Sequence, residues 1–523
     1  MSLLRNVGTI GGLTAVSRVF GFVRDIMLAR VLGAGGAADA WQLAFQLPNI
    51  FRRLFAEGAF ASAFVPLFNR HMKEGDDWSD AEKFASQVLA VLLPILVVFG
   101  ALMMLAMPWV LQPFASEGLL EDGENWPLAV TMGRIAFPYL IFMSLATLVA
   151  ATLNSLSRFA AAAAAPILLN ICLISALTWG AVQADSETVR QNTGLLLSIA
   201  VTVSGLLQLV WLVFWMRRAG FRIPFGWPKL TSDVKELGIL VLPAVFGAGV
   251  YQISRFIDLF FLGQLPEGSI TYLAMADRWN QLPLGIIGIA LGTAILPALS
   301  RHIASEDHGS AARLQSNAIE LAMLLTIPAA VALFVTGSAF TRVFYAGGAF
   351  TLEDAMITAT IVSGLVIGLP AYVLVKVLTP NFFARKDTRT PVYTAAISLL
   401  VTVALNIVLV PRIGVLSLAV AGSIGAWVNV ALLTGILHKR GFFSLPGRIW
   451  SRIARIMLAA LAMGAVLWFL MPYGEGRFTG SVPEQALAIL ALLGAGLATF
   501  GFFAWAFRVL DKATVQRLMR RQG

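Results

Sequence analysis

The 523-residue chain is 58% apolar and 13% charged, which excludes a soluble globular domain and reads as a polytopic membrane protein. Its net charge of +10 raises nucleic acid as a partner, but the cations follow the membrane instead: with the N-terminus in the cytoplasm, loops on that side hold about 25 of the 38 Lys and Arg. That distribution excludes a nucleic-acid binder, and the single cysteine, Cys172, excludes an intramolecular disulfide.

A hydrocarbon core about 30 Å thick takes about 20 helical residues to cross, and about 14 segments qualify. Span one, residues 8 to 32, carries Arg18, Arg24, Asp25 and Arg30; with charges inside it and no convincing cleavage site after it, it is expected to stay in the mature protein. Span two, 38 to 69, carries Asp39, Arg52, Arg53 and Glu57 together with Pro48 and Pro66. Spans three to six, at 84 to 112, 127 to 156, 160 to 182 and 192 to 216, carry little charge beyond Arg134. The loop from Pro113 to Trp126 holds four acids and no cation, so it is expected outside. A basic, Pro-rich stretch with Phe221, Phe225 and Trp227, residues 217 to 235, then runs along the cytoplasmic interface.

Span seven, 236 to 263, holds Arg255 and Asp258, and span eight, 269 to 300, holds Asp277, Arg278, Pro283 and Pro297. The remaining spans lie at 315 to 341, 354 to 383, 391 to 411, 415 to 437, 452 to 472 and 484 to 509, and an even number of crossings returns the C-terminus to the cytoplasm. Proline within spans two, four, eight and ten predicts interrupted helices, a feature tolerated where helices line a cavity or bend. The four histidines fall in loops without clustered carboxylates or thiols, and no catalytic constellation is present, so the chain reads as a transporter and not an enzyme.

The chain also repeats itself. Phe64-Val65-Pro66-Leu67-Phe68-Asn69-Arg70-His71 is echoed by Ile295-Leu296-Pro297-Ala298-Leu299-Ser300-Arg301-His302, Ser17-Arg18 by Ser254-Arg255, and Ala38-Asp39-Ala40-Trp41 by Ala276-Asp277-Arg278-Trp279. Asn154, Arg158 and Pro166 recur as Asn381, Arg385 and Pro391. The repeat contains six spans, an even number, so both copies enter the membrane in the same direction. The expected architecture is all-α: two parallel six-helix lobes, residues 1–225 and 226–445, related by a pseudo-two-fold axis along the membrane normal, followed by two unpaired helices and a basic tail in 446–523.

Intramembrane charge obeys this repeat, concentrating on spans one, two, seven and eight. A guanidinium at the bilayer centre costs about 2.5–3.5 kcal/mol, so several together call for a shared water-filled cavity. Its cationic sign suits an anionic cargo. The plain alternative is that each arginine pairs with a nearby acid or snorkels to an interface.

The stretches Ser17-Arg18-Val19-Phe20-Gly21-Phe22-Val23-Arg24-Asp25 and Leu47-Pro48-Asn49-Ile50-Phe51-Arg52-Arg53-Leu54-Phe55-Ala56-Glu57-Gly58, with Asp39 between them, closely resemble the MurJ (MviN) family. Ala276-Asp277-Arg278, Leu282-Pro283-Leu284-Gly285 and Ala290-Leu291-Gly292-Thr293 extend the resemblance into the second copy. The resemblance implies a bacterial lipid II flippase of the multidrug/oligosaccharidyl-lipid/polysaccharide exporter superfamily, working by alternating access in the cytoplasmic membrane. It implies substrate-binding roles for Arg18, Arg24, Arg52, Arg278 and Asp39. Asp25, Glu57, Arg255 and Asp277 are expected to support the cavity, and Asp258 is the candidate for a coupling sodium ion. It also implies that residues 452 to 509 guide the polyprenyl tail. Lipid II and membrane lipids are the expected partners, with cell-wall synthesis proteins as further candidates.

Lipid II joins a disaccharide-pentapeptide to a long polyprenyl chain through a diphosphate, and guanidinium forks suit phosphate oxygens through bidentate hydrogen bonds. A flippase for another polyprenyl-diphosphate glycan needs the same charges. A cation-coupled drug antiporter needs an acidic or aromatic cavity, which the excess of arginine in spans one and two disfavours. A scaffold that binds the lipid-linked intermediate without moving it would keep the pocket but dispense with bent helices.

Overall fold

Long apolar runs in lipid satisfy their backbone hydrogen bonds within a single segment, which selects helix. In the computed structural model, which describes residues 3–55, 59–72 and 78–509, the chain is helical throughout, with short connecting turns. Packing divides it into two compact units, residues 1–271 with 347–350, and residues 272–346 with 351–523.

The first unit contains α1 (Leu3–Leu32), α2 (Gly36–Phe55), α3 (Ala59–His71), α4 (Ser79–Leu105), α5 (Met107–Leu111), α6 (Glu117–Glu121), α7 (Asn125–Ala136), α8 (Tyr139–Ser155), α9 (Phe159–Ala181), α10 (Glu187–Arg218) and α11 (Ser232–Leu262). Helix α9 packs between α1 and α10, and α7 and α8 both pack on α2 and α10. Along α3, Phe60, Phe64 and Phe68 recur every four residues and so share one face; successive rings stack at 5.4 Å, and Phe84 of α4 joins them at 5.6 Å from Phe64. Val234 and Leu237 of α11 enter the same core, and this unit runs on to residue 271.

The turn Gly347–Phe350 also belongs to this unit. The Ala349 N–H donates to the Arg30 carbonyl at 2.8 Å, and Gly33, with φ of +71°, ends α1 against it. A side chain at Gly33 would run into the Ala349 carbonyl, so this close approach requires glycine.

The second unit continues α12 (Ser269–Pro283) through a π-helical turn at Leu284–Gly288 into α13 (Ile289–Ala304), followed by α14 (His308–Phe344), α15 (Leu352–Phe383), α16 (Arg389–Ile413), α17 (Leu416–Lys439), α18 (Gly447–Phe478) and α19 (Val482–Ala506). Helices α14 and α15 form its centre, with α17 against α15 and α18 against α14. The π turn directly follows Pro283, which lacks the N–H that a regular helix would use.

Ten helices among the described residues are long and apolar enough to cross a membrane, with α7 and α8 counted together. The four other expected spans, one, two, seven and eight, are those that carry the intramembrane charge, and they correspond to α1, α2 with α3, α11, and α12 with α13. The proline expectation divides. Span four changes helix at Phe137 and Pro138, and span eight at Pro283. Helix α15, however, runs unbroken through Pro370 and Pro380, so those two prolines do not end it.

One buried ion pair holds the last two helices in the second unit. Arg452 of α18, 5% exposed, places Nε 2.7 Å from Glu320 Oε1 of α14, and its Nη2 donates to the Val509 carbonyl just beyond α19. The cation thus sits where the last carbonyls of α19 want one. Arg452→Met should cost about 3–5 kcal/mol because it strands the Glu320 carboxylate, and adding Glu320→Leu should return most of that loss. Thermal melting of the purified protein reads both; a single variant as stable as the parent protein would show that the pair contributes nothing.

Candidate functional site

Helix α1 places Arg24 and Asp25 on its packed side, where α9 covers them. The Arg24 side chain is 13% exposed; Nε and Nη2 donate to Asp25 Oδ1 at 3.0 and 2.6 Å, and Nη1 donates to Asn170 Oδ1 of α9 at 3.0 Å. Asn170 in turn donates from Nδ2 to the Ser17 carbonyl at 3.0 Å, which fixes the amide that receives Arg24. A guanidinium held by one carboxylate and one amide is oriented and partly neutralised while keeping further N–H donors for a ligand.

Arg18 lies six residues earlier on α1, rotated about a third of a turn away, and is exposed. It makes no hydrogen bond or ion pair with the described residues. Arg52, half-buried near the end of α2, donates from Nε and Nη2 to Asn49 Oδ1 at 3.3 and 3.0 Å. Arg255 and Asp258 are half-buried, one turn apart on α11. In the second unit Arg278 and Asp277 are half-buried on α12, and Asp277 accepts from Gln281 Nε2 at 2.5 Å. Glu57 lies outside the described residues.

Asp39 has different contacts from the arginines with which the resemblance groups it. It is 4% exposed in the first turn of α2, and both its oxygens are committed to the backbone that opens α12. Oδ2 accepts from the Gly268 N–H at 2.7 Å; Oδ1 accepts from the Thr271 N–H at 3.0 Å and from Thr271 Oγ1 at 2.6 Å. A carboxylate receiving the free N–H groups at a helix start is a favourable charge–dipole arrangement. Asp39 therefore anchors residues 268–271 in this structure. Nearby, outside the spans, burial pushes the Glu267 carboxyl above its ordinary range, and the like charges of Asp122 and Glu187 push it in the same direction.

Asn170 and Thr271 were not singled out by the sequence. The signal for Asn170 was a lone amide inside an apolar run, and for Thr271 a Gly-Ser-Ile-Thr opening before a helical segment. No group of three or more His, Cys, Asp or Glu suited to a metal ion occurs among the described residues.

The second unit also holds an apolar groove of about 570 Å³ walled by α14, α15, α17 and α18, with Phe334, Pro370, Trp427, Met457, Leu461 and Trp468 among its lining. The resemblance implies tail guidance by residues 452 to 509. Of those, α18 lines this groove and α19 does not.

Ten helices apolar enough to cross a membrane, together with charged side chains kept on the other helices, define a polytopic membrane protein. Within that class, the chain belongs to the lipid II flippase MurJ family, whose model matches residues 28–485. It is 39% identical to a probable lipid II flippase MurJ of Rhizobium meliloti (strain 1021), covering 100% of this chain and 97% of that one. It is 34% identical to the Rickettsia prowazekii (strain Madrid E) protein of the same description, covering 98% and 99%. Among solved structures, a lipid II flippase MurJ in an inward closed conformation superposes with a TM-score of 0.77 at 25% identity, covering 98% of this chain and 99% of that one. An inward-facing multidrug resistance transporter of the MATE family and MOP superfamily matches at 0.67 with 13% identity, covering 82% and 95%, a likeness of fold alone.

Proposed function

We propose that this protein carries lipid II from the inner to the outer leaflet of the bacterial cytoplasmic membrane, with both termini in the cytoplasm. The observation that carries the reading is the packed Arg24–Asp25–Asn170 cluster in a chain related over its whole length to lipid II flippases. No bond is made or broken. The work is to replace the water around a diphosphate and then release it on the other side.

Arg24 supplies an oriented fork for phosphate oxygens, and Asp25 competes with the ligand for the same guanidinium, which limits how tightly the diphosphate is held. Arg18, exposed on the same helix, and Arg52 and Arg278 are the other proposed phosphate partners. Asp39, by holding the start of α12, is the proposed switch: release of Gly268 and Thr271 accompanies alternating access. The polyprenyl tail stays in lipid, with the groove walled by α18 as its proposed guide.

A sodium ion at Asp258 is a separate proposal. A hard cation wants several oxygen ligands, whereas Arg255 lies one helical turn from Asp258, so no step here is routed through an ion. Membrane potential offers another source of bias, about 2.3 kcal/mol per elementary charge per 100 mV.

The decisive experiment compares lipid II exposed on the outer leaflet of cells with and without the protein, in a strain depleted of its own flippase. Outer-leaflet lipid II should fall on depletion and return on expression. Retention of bound lipid II without outer-leaflet exposure would make the protein a scaffold, and export of a different polyprenyl-diphosphate glycan alone would move it to the neighbouring class of flippases.

A further inference from the structure

The segment that follows α10 is built unlike an ordinary loop. Gly220, with φ of +88°, turns the chain off the helix end, and Phe221 plugs into the core of the first unit, fully buried and 5.5 Å from the Phe68 ring. From there the backbone is strapped along α4. The Arg222 N–H donates to Glu82 Oε1 at 2.8 Å, Ser86 Oγ donates to the Pro224 carbonyl, and Thr231 Oγ1 donates to Gln87 Oε1 at 3.0 Å. Two prolines, Pro224 and Pro228, stiffen the intervening stretch.

What this rigid strap presents outward is apolar. Phe225 is 77% exposed, Trp227 87% and Leu230 68%. Around them Arg217, Arg218, Arg222 and Lys229 are also exposed, and residues 217–231 contain no acid. Of the nearest acids, Glu236 of α11 pairs with Arg70 at 2.7 Å, while Asp233, 3.7 Å from the His71 ring, and Glu82 of α4, at the Arg222 N–H, offset only part of the charge of these four cations. Aromatic rings held out between cations match a membrane–water interface in chemistry: rings at the headgroup level, cations against lipid phosphates. A surface awaiting a protein partner would have little use for an excess of cations beside an indole that is almost wholly exposed.

The end of α17 is made in a similar way. Gly441, with φ of +68°, is followed by buried Phe443, and the exposed Trp450 lies between Arg448 and Arg452, the latter committed inward to Glu320. The glycine turn and buried phenylalanine thus occur after both α10 and α17, at ends that the distribution of basic loops assigns to the cytoplasm, whereas the exposed aromatic strap is particular to residues 219–231.

We propose that residues 219–231 form a binding surface for anionic phospholipid headgroups of the cytoplasmic leaflet, with Phe225 and Trp227 seated in the interface and Arg218, Arg222 and Lys229 on lipid phosphates. The proposal rests on the cytoplasmic orientation of this segment and not on the identity of the cargo. It gives the first unit a fixed foothold on the lipid surface.

The test uses the full-length protein with Cys172→Ala and Trp227→Cys, carrying a nitroxide at 227, in nanodiscs of phosphatidylcholine with or without phosphatidylglycerol. Gln183→Cys, in an exposed loop, serves as the water-facing control. The 227 label should be shielded from a water-soluble nickel chelate and reached by oxygen, and phosphatidylglycerol should raise its immersed fraction. Arg222→Gln and Lys229→Gln should lower the ratio of immersed to exposed label about fivefold for each cation removed. Nickel access equal to that at 183 overturns the proposal. So does immersion that is the same without phosphatidylglycerol, because the surface would then recognise apolar depth and not lipid charge.

Discussion

Arg24→Ala is expected to lower lipid II export by about 100-fold or more, the equivalent of losing two charge-assisted hydrogen bonds to the diphosphate. The structure adds a control. Removing Arg24 also leaves Asp25, 4% exposed, without its guanidinium, so part of any loss could come from folding. Arg24→Ala with Asp25→Ala relieves that burial cost and should still fail to export. Arg24→Lys should recover only part of the activity, since an ammonium cannot span Asp25, Asn170 and a phosphate at once. Arg18→Ala, Arg52→Ala and Arg278→Ala should each reduce export in the same direction. Outer-leaflet lipid II, normalised to folded protein in the membrane, is the measurement; normal export by two or more of the alanine variants at native expression would remove the cationic site from the mechanism.

Asp39→Asn should be nearly as damaging, although it changes a single atom. Both carboxylate oxygens accept hydrogen bonds from N–H or O–H groups of Gly268 and Thr271, so an amide nitrogen at either position would face a donor in a buried site. The expected cost to the anchored state is about 3 kcal/mol, enough to shift its population about 100-fold. Thr271→Val removes only the hydroxyl contact and should cost about 1 kcal/mol. If anchoring of residues 268–271 is part of the transport cycle, export falls further than thermal stability does. Export per folded molecule that matches the parent protein, with only the melting temperature lowered, would assign Asp39 to folding. Asp277→Asn, at the position that echoes Asp39 in the sequence, is expected to lower export in the same direction, read by the same two measurements.

Much of this protein follows from properties that are local along the chain. Apolar runs of membrane-crossing length select helices, and the excess of arginine over acid in span one requires compensation wherever the helices pack. The proline positions show the limit of local inference. Pro138 and Pro283 coincide with changes of helix, while Pro370 and Pro380 sit inside α15, whose long contact with α14 and α17 carries it past the missing backbone donors.

Partner choice is the part the sequence could not decide by itself. Arg24 reaches across 146 residues to Asn170, and Asp39 reaches across 232 to Thr271. Sequence similarity grouped Asp39 with the arginines, yet its oxygens go to the start of α12, while Arg18, on the same helix as Arg24, points elsewhere. Composition and spacing determine which residue types enter the membrane and on which helix. Which of them meet depends on how far each helix is rotated about its axis and which neighbour covers it, and those rotations are fixed by side-chain packing summed over the whole unit, a quantity that no single segment contains.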